Sequence, residues 1–190
     1  MKIEELTPAR LEETRRVIAE LFPWEDEHQT ALAAALDPDA HGAFLVDRRL
    51  DRIRFWIAVF DGRVVGVAGL YDYRGMPAET WLSWFGLLPV MRGHGNGARF
   101  LDWIINAGRQ EGRAVLRLWT TDEEEYHAAT RLYEKRGFTT EDYPMLAGEE
   151  WRTLVMSLGL NGATPIPWLS LPDRPELGGR VVPLASAKVA

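Results

Sequence analysis

The chain has 190 residues, 46% of them hydrophobic, enough to bury one substantial core and close to the usual size of one domain. A formal net charge of -6 argues against a nucleic-acid partner, because binding through phosphates requires a basic face. The absence of cysteine excludes disulfides, thiolate metal sites and a cysteine nucleophile.

The opening Met1-Lys2-Ile3-Glu4-Glu5-Leu6 carries acids where a secretory signal is basic and then apolar. No stretch approaches the roughly 18 consecutive apolar residues of a membrane span, so the expectation is a cytoplasmic protein with no membrane partner. Residues 2–6 read as a short strand. Thr7-Pro8 then reads as an N-cap with proline in the first helical position, opening a helix that runs to about Phe22 and stops at Pro23. A second helix is expected over Glu25 to Leu36, with Leu32, Ala35 and Leu36 on one face, until Asp37-Pro38-Asp39 breaks it. Phe55 to Phe60 and Arg63 to Tyr71 are rich in β-formers and are joined by Asp61-Gly62, a hairpin signal. Thr80 to Leu88 is apolar enough for a strand in the middle of a sheet.

A glycine-rich loop follows, Arg92-Gly93-His94-Gly95-Asn96-Gly97-Ala98, and leads into a helix over Gly97 to Gln110 with Phe100, Leu101, Ile104 and Ile105 on one side. Glycines let the backbone approach an anion closely, and the unpaired N–H groups of a helix start favour negative charge, so this is a phosphate cradle. Beyond it come a buried strand (Ala114 to Trp119) and a capping-box pattern at Thr121 and Glu124. A helix over Asp122 to Arg136 stops at Gly137, and two strands follow near Thr139 to Met145 and Glu150 to Leu158. From Leu160 the prolines at 165, 167, 172, 175 and 183 mark an extended tail that could dock through Ile166, Trp168 and Leu169. The division expected is a domain over 1–159 and a tail over 160–190; the sequence leaves open whether the tail folds back, swaps into a homodimer or stays mobile.

Two cofactors can claim the loop. Gly93-His94-Gly95-Asn96-Gly97-Ala98 is formally the dinucleotide pattern G-x-G-x-x-A, and a nicotinamide-dependent oxidoreductase is the formal rival. In that fold, however, the strand runs almost directly into the first glycine and starts a parallel array; here Pro89-Val90-Met91-Arg92 intervenes and the unit follows an antiparallel hairpin. The alternative is a resemblance to the GNAT N-acetyltransferases, whose acetyl-CoA motif reads V-x-P-x-x-R-G-x-G-x-G/A before a helix. Leu87-Leu88-Pro89-Val90-Met91-Arg92-Gly93-His94-Gly95-Asn96-Gly97 is similar to it position by position, with leucine replacing valine. Ala129-Thr130-Arg131-Leu132-Tyr133-Glu134-Lys135-Arg136-Gly137-Phe138 is similar to the second family signature, A-x-x-L-Y-E-K-x-G-F. The resemblance covers about residues 1 to 158; the span Asp122 to His127 lacks the asparagine that many members carry.

The resemblance implies an α/β (α+β) fold with a mixed, largely antiparallel central sheet flanked by helices. It also implies acetyl-CoA as co-substrate, with no metal, and acetyl transfer by direct attack to a primary amine of a small molecule or peptide. A non-catalytic acyl-CoA sensor on the same fold is a further alternative. Backbone N–H groups from Arg92 through Ala98 would grip the pyrophosphate, and the N–H of Leu87 or Leu88 would polarise the thioester carbonyl. Tyr133 is by resemblance the proton donor to the leaving sulfur, and Glu79, at the start of the strand, is the candidate base. A water chain to a more distant carboxylate would serve as well. His28, His41, His94 and His127 show no metal-ligand spacing and read as surface residues. Trp56, Trp81, Trp84 and Trp119 read as core, with Trp81 or Trp84 able to line a pocket. Glu25-Asp26-Glu27, where the family often builds its acceptor site, reads first as a solvated charge run.

Overall fold

The hairpin over Asp61-Gly62 lies inside the sheet of a computed structural model that describes residues 1–145, 148–172 and 174–177. Asp61 and Gly62 both take positive φ, 49° and 74°, as a two-residue turn matched to the twist of its strands demands. Seven strands, β1 (Lys2–Glu5), β2 (Leu50–Phe60), β3 (Arg63–Tyr73), β4 (Glu79–Leu87), β5 (Val115–Thr121), β6 (Thr139–Asp142) and β7 (Thr153–Gly159), form one sheet in the order β1-β2-β3-β4-β5-β7-β6. Pairing is antiparallel for β1–β2, β2–β3, β3–β4 and β6–β7, and parallel for β4–β5. The helices are α1 (Leu11–Leu21), α2 (Glu27–Leu36), α3 (Gly42–Asp47), α4 (Asn96–Gln110) and α5 (His127–Glu134). The mixed, largely antiparallel sheet flanked by helices is the fold class expected.

Contacts group the chain into two units: residues 1–118 with 158–165, and residues 119–157 with the described residues from Ile166 on. In the first unit, adjacent strand residues face opposite sides, so Phe55 and Trp56 separate two cores. Phe55 stacks on Trp84, whose ring also meets His28 of α2, whereas Trp56 meets Trp103 of α4. Helices thus cover both faces of this part of the sheet, and β3 is buried from Val64 to Tyr73. The apolar face of α4 goes inward as its spacing predicts, with Phe100, Leu101, Ile104 and Ile105 all buried. His28 departs from its surface reading: it is 1% exposed, with Nε2 beside the Phe22 carbonyl (3.3 Å) and Nδ1 beside Gln29 Nε2 (3.0 Å). The six-residue α3 is too short to show a helical period in the sequence. Residues after β7 return to this unit: Leu160 is fully buried, its N–H donates to the Ala114 carbonyl (2.7 Å), and Asn161 Nδ2 donates to the Arg109 and Arg113 carbonyls.

In the second unit the capping box does not form. The Thr121 hydroxyl bonds to the Glu123 carboxylate, and Asp122 accepts from the Arg152 backbone N–H (2.8 Å) and Nε (2.7 Å). Residues 122–126 are thereby drawn out of the helix, and α5 starts at His127 after a 3-10 turn at Glu124–Tyr126. The stop at Gly137 holds, with φ 86°. Trp168 is fully buried and Leu177 is 1% exposed; the Leu169 N–H donates to Glu141 (3.3 Å), and Ile166 remains exposed. Residue 173 and residues 178–190 of the expected tail lie outside the described residues.

Candidate active site

The glycine loop is built by what precedes it. Pro89–Met91 form a single 3-10 turn after β4, and the Arg92 side chain turns back so that its Nε donates to the Leu87 carbonyl (2.9 Å). Asn96 Nδ2 donates to the Met91 carbonyl (3.1 Å), which ties the first turn of α4 to the same corner. Gly93 and Gly95 take φ of 80° and 73°, a region costly for residues with a Cβ. An added Cβ at either would meet nothing within 4 Å, so these glycines serve conformation rather than close packing.

The first intrahelical bond of α4 runs from the Arg99 N–H to the Gly95 carbonyl (3.0 Å). The N–H groups of Asn96, Gly97 and Ala98 lie ahead of it and carry the positive end of a fifteen-residue helix. With exposed Gly93, His94 and Gly95 they form an open, anion-directed cradle that fits a pyrophosphate. Arg92 is a partial correction, since its backbone N–H already donates to the Pro89 carbonyl (3.0 Å). The free donors start at Gly93.

Register decides between the two carbonyl-polarising candidates. The Leu88 N–H donates to the Val65 carbonyl (2.9 Å), so Leu88 faces β3 and is not available. Antiparallel pairs alternate between bonded and non-bonded, so Leu87, opposite Gly66, turns its N–H to the other edge of β4. On that edge β5 pairs only with Glu79, Thr80 and Trp81. Leu87 lies six residues beyond this pairing, on an open edge next to the cradle.

The facing of Leu87 depends on a β-bulge. Val67 pairs with Gly86 but Gly69 pairs with Ser83, so Trp84 and Phe85 together oppose Ala68. Trp84 has φ 43°, an outlier for a bulky residue, and its indole Nε1 donates to Glu25 Oε1 (3.1 Å). Neither feature is visible in the sequence, where β4 is too uniformly apolar to reveal its phase.

Glu79, the candidate base, stands far from the cradle. It pairs with Val115 at the start of β4, and eight steps of about 3.3 Å put it roughly 25 Å from Leu87. Both of its oxygens accept from Arg117, Nε to Oε2 and Nη2 to Oε1, each at 2.8 Å. Glu79 is 8% exposed and Arg117 fully buried, so the pair is a structural clasp between the starts of β4 and β5. At that end of the sheet Asp72 accepts from Arg52, Arg54 and Arg113, beside a cavity of about 680 Å³ lined in part by Arg52, Arg54 and Asp72.

Tyr133 belongs to the second unit. It lies in the last turn of α5, 6% exposed, with its ring 5.7 Å from that of Phe138. Burial raises its phenol above the ordinary tyrosine value. The helix stop at Gly137 brings Phe138 back, its N–H reaching the Tyr133 carbonyl (3.3 Å).

A central strand with an antiparallel neighbour on one side, a parallel neighbour paired only with its first residues on the other, and a glycine loop at its far end is not the parallel array of a dinucleotide fold. It is an acyltransferase arrangement. The model of the Acetyltransferase (GNAT) family matches residues 10–138, and the chain belongs to that family. Among solved structures it is similar to a Salmonella typhimurium protein, classed with the acetyltransferases and solved with its cofactor acetyl-CoA (22% identity, 88% of this chain and 98% of that one, TM-score 0.61). It is similar also to the ribosomal-protein-alanine N-acetyltransferase of Brucella melitensis (22% identity, 84% and 100%, TM-score 0.60). The aminoglycoside 6'-N-acetyltransferase of Enterococcus faecium shares the fold at 16% identity (88% and 99%, TM-score 0.66). No curated protein shows a significant sequence match.

Proposed function

We propose that this chain moves an acetyl group from acetyl-CoA to a primary amine of a small molecule or peptide, by direct attack with both substrates bound. The observation that carries the reading is the continuity of the open β4 edge at Leu87 with the N–H cradle from Gly93 to Ala98. Acetyl-CoA supplies an activated acyl group. The cradle holds its pyrophosphate, while the Leu87 N–H bonds to the thioester oxygen and stabilises the charge that develops there. Tyr133, which stands where the family signature has its tyrosine and whose phenol carries its proton at neutral pH, donates to the departing sulfur.

The acceptor, an ammonium with pKa near 10.4 if it is lysine-like, must shed a proton first. Residues 80–87 carry no carboxylate and Glu79 is clasped by Arg117, so that proton leaves through water. Among the described residues no helix is long and apolar enough to cross a membrane, and a cytoplasmic setting is part of the proposal. The test is thiol release from acetyl-CoA across a panel of amines and peptides. Amine-dependent release supports the reading; tight binding of acetyl-CoA with no consumption by any acceptor supports a sensor instead. Stabilisation by a nicotinamide dinucleotide and not by acetyl-CoA would overturn it.

A further inference from the structure

We propose that Glu25 is a positioning residue for the transfer reaction: its carboxylate holds the Trp84 indole and so maintains the bulge that turns the Leu87 N–H toward the thioester. The inference rests on the transferase reading above and adds to it a residue outside the cradle and the strand. It follows from what one extra residue does to a strand. Side-chain and N–H directions alternate with period two, so an insertion inverts every direction beyond it. Before the bulge, Gly69 opposes Ser83; continued without a shift, that register would set Leu87 opposite Val65. Val65 turns its carbonyl toward β4, where it now accepts from Leu88. An unbulged β4 would therefore spend the Leu87 N–H on β3 and leave none for a substrate at that position.

The bulge puts Trp84 at a φ of 43°, which persists only where surroundings over-determine it. Three groups do so. Phe55 of β2 stacks on the indole at 5.8 Å between centroids with the planes 21° apart, and buried His28 of α2 meets it edge-on at 6.4 Å. Both are ring contacts without a fixed donor–acceptor direction. Glu25 supplies the directional restraint, with Oε1 accepting from Nε1 at 3.1 Å. Glu25 stands between α1 and α2, so the hydrogen bond ties that segment to the strand presenting Leu87.

The experiment compares acetyl-CoA with CoA by calorimetry in the wild type, Glu25→Ala, Glu25→Gln and Trp84→Phe. Both ligands use the cradle, and only acetyl-CoA carries the carbonyl that Leu87 would meet. The expected result is a fall of about three- to tenfold in the acetyl-CoA to CoA affinity ratio for Glu25→Ala and Trp84→Phe, the range of one neutral hydrogen bond. Glu25→Gln keeps an oxygen acceptor and should stay within about twofold of wild type. The double variant Glu25→Ala/Trp84→Phe should fall no further than either single one. A ratio unmoved in Glu25→Ala, or a glutamine variant as impaired as the alanine one, overturns the proposal. If Glu25→Ala does not fold, Trp84→Phe, which keeps an aromatic ring for Phe55 to stack on and loses the donor with part of the indole, decides together with Glu25→Gln. A wild type that binds neither ligand defeats the transferase reading and this inference together; binding of both with an unmoved ratio defeats this inference alone.

Discussion

Replacing Glu79 with glutamine separates two jobs that a carboxylate at the start of β4 could have. As a clasp it answers a fully buried guanidinium with two hydrogen bonds of 2.8 Å, and the substitution removes the charge while keeping the shape. Glutamine can still accept one of the two bonds, but its amide group opposes the other Arg117 donor. Leaving a buried charge without its partner costs about 3–5 kcal/mol. For a chain of this size, about 2–4 °C of melting temperature accompany each kcal/mol, so a drop on the order of 6–20 °C is expected by calorimetry or circular dichroism. Turnover per folded molecule, measured as thiol release well below the new melting point, should stay within about twofold of wild type, because roughly 25 Å of strand separate Glu79 from Leu87. Loss of a general base would instead cost about 10²–10⁴ in rate. A melting temperature within a degree or so of wild type, with turnover down by that factor, would refute the clasp and restore Glu79 as the base.

Gly95→Ala should weaken acetyl-CoA binding and destabilise the chain by about 1–2 kcal/mol, since φ 73° at the start of α4 is strained for any residue with a Cβ; titration calorimetry checks the first effect and thermal melting the second. Tyr133→Phe should keep the melting temperature within a few degrees, because the ring remains, and should cut amine-dependent thiol release by about 10²–10⁴ if the phenol is the proton donor. Unchanged turnover would remove Tyr133 from the chemistry. The Tyr143 phenol is pushed up to about 12, by burial first and then by its hydrogen bond to Glu176. A raised folded value means stability that is fully present below the ordinary value of about 10 and lost as pH rises through about 12, so alkaline unfolding should set in over that window and begin less steeply in Tyr143→Phe.

Local chemistry made part of this molecule readable from its sequence. The Asp61-Gly62 turn, the glycine loop and the inward face of α4 each depend on residues within a few positions of one another, and each stands where the pattern put it. The partner of Glu79 is 38 residues away, and nothing near a lone acid in an apolar strand shows that a guanidinium waits across the sheet. Leu87 could not be told from Leu88 because the answer lies in register, which a single bulge at Trp84 inverts. A tryptophan carries no mark of a left-handed backbone; that conformation is imposed by Phe55, His28 and Glu25. The late start of α5 has the same origin, since Arg152 takes the Asp122 carboxylate from thirty residues downstream.

The return of residues 158–165 to the first unit has a consequence for how the chain is made. Leu160, fully buried and bonded to Ala114, together with Asn161 capping the carbonyls of Arg109 and Arg113, closes a structure whose other parts end at residue 118. During synthesis the amino-terminal hairpin and α4 emerge first, yet their last partner emerges only after the whole of 119–157. Until then Gly108 of α4 lacks Leu160, the side chain that lies against it in the finished structure. A chain that ends before Leu160 lacks a residue this core buries fully, together with the Asn161 bonds to the Arg109 and Arg113 carbonyls.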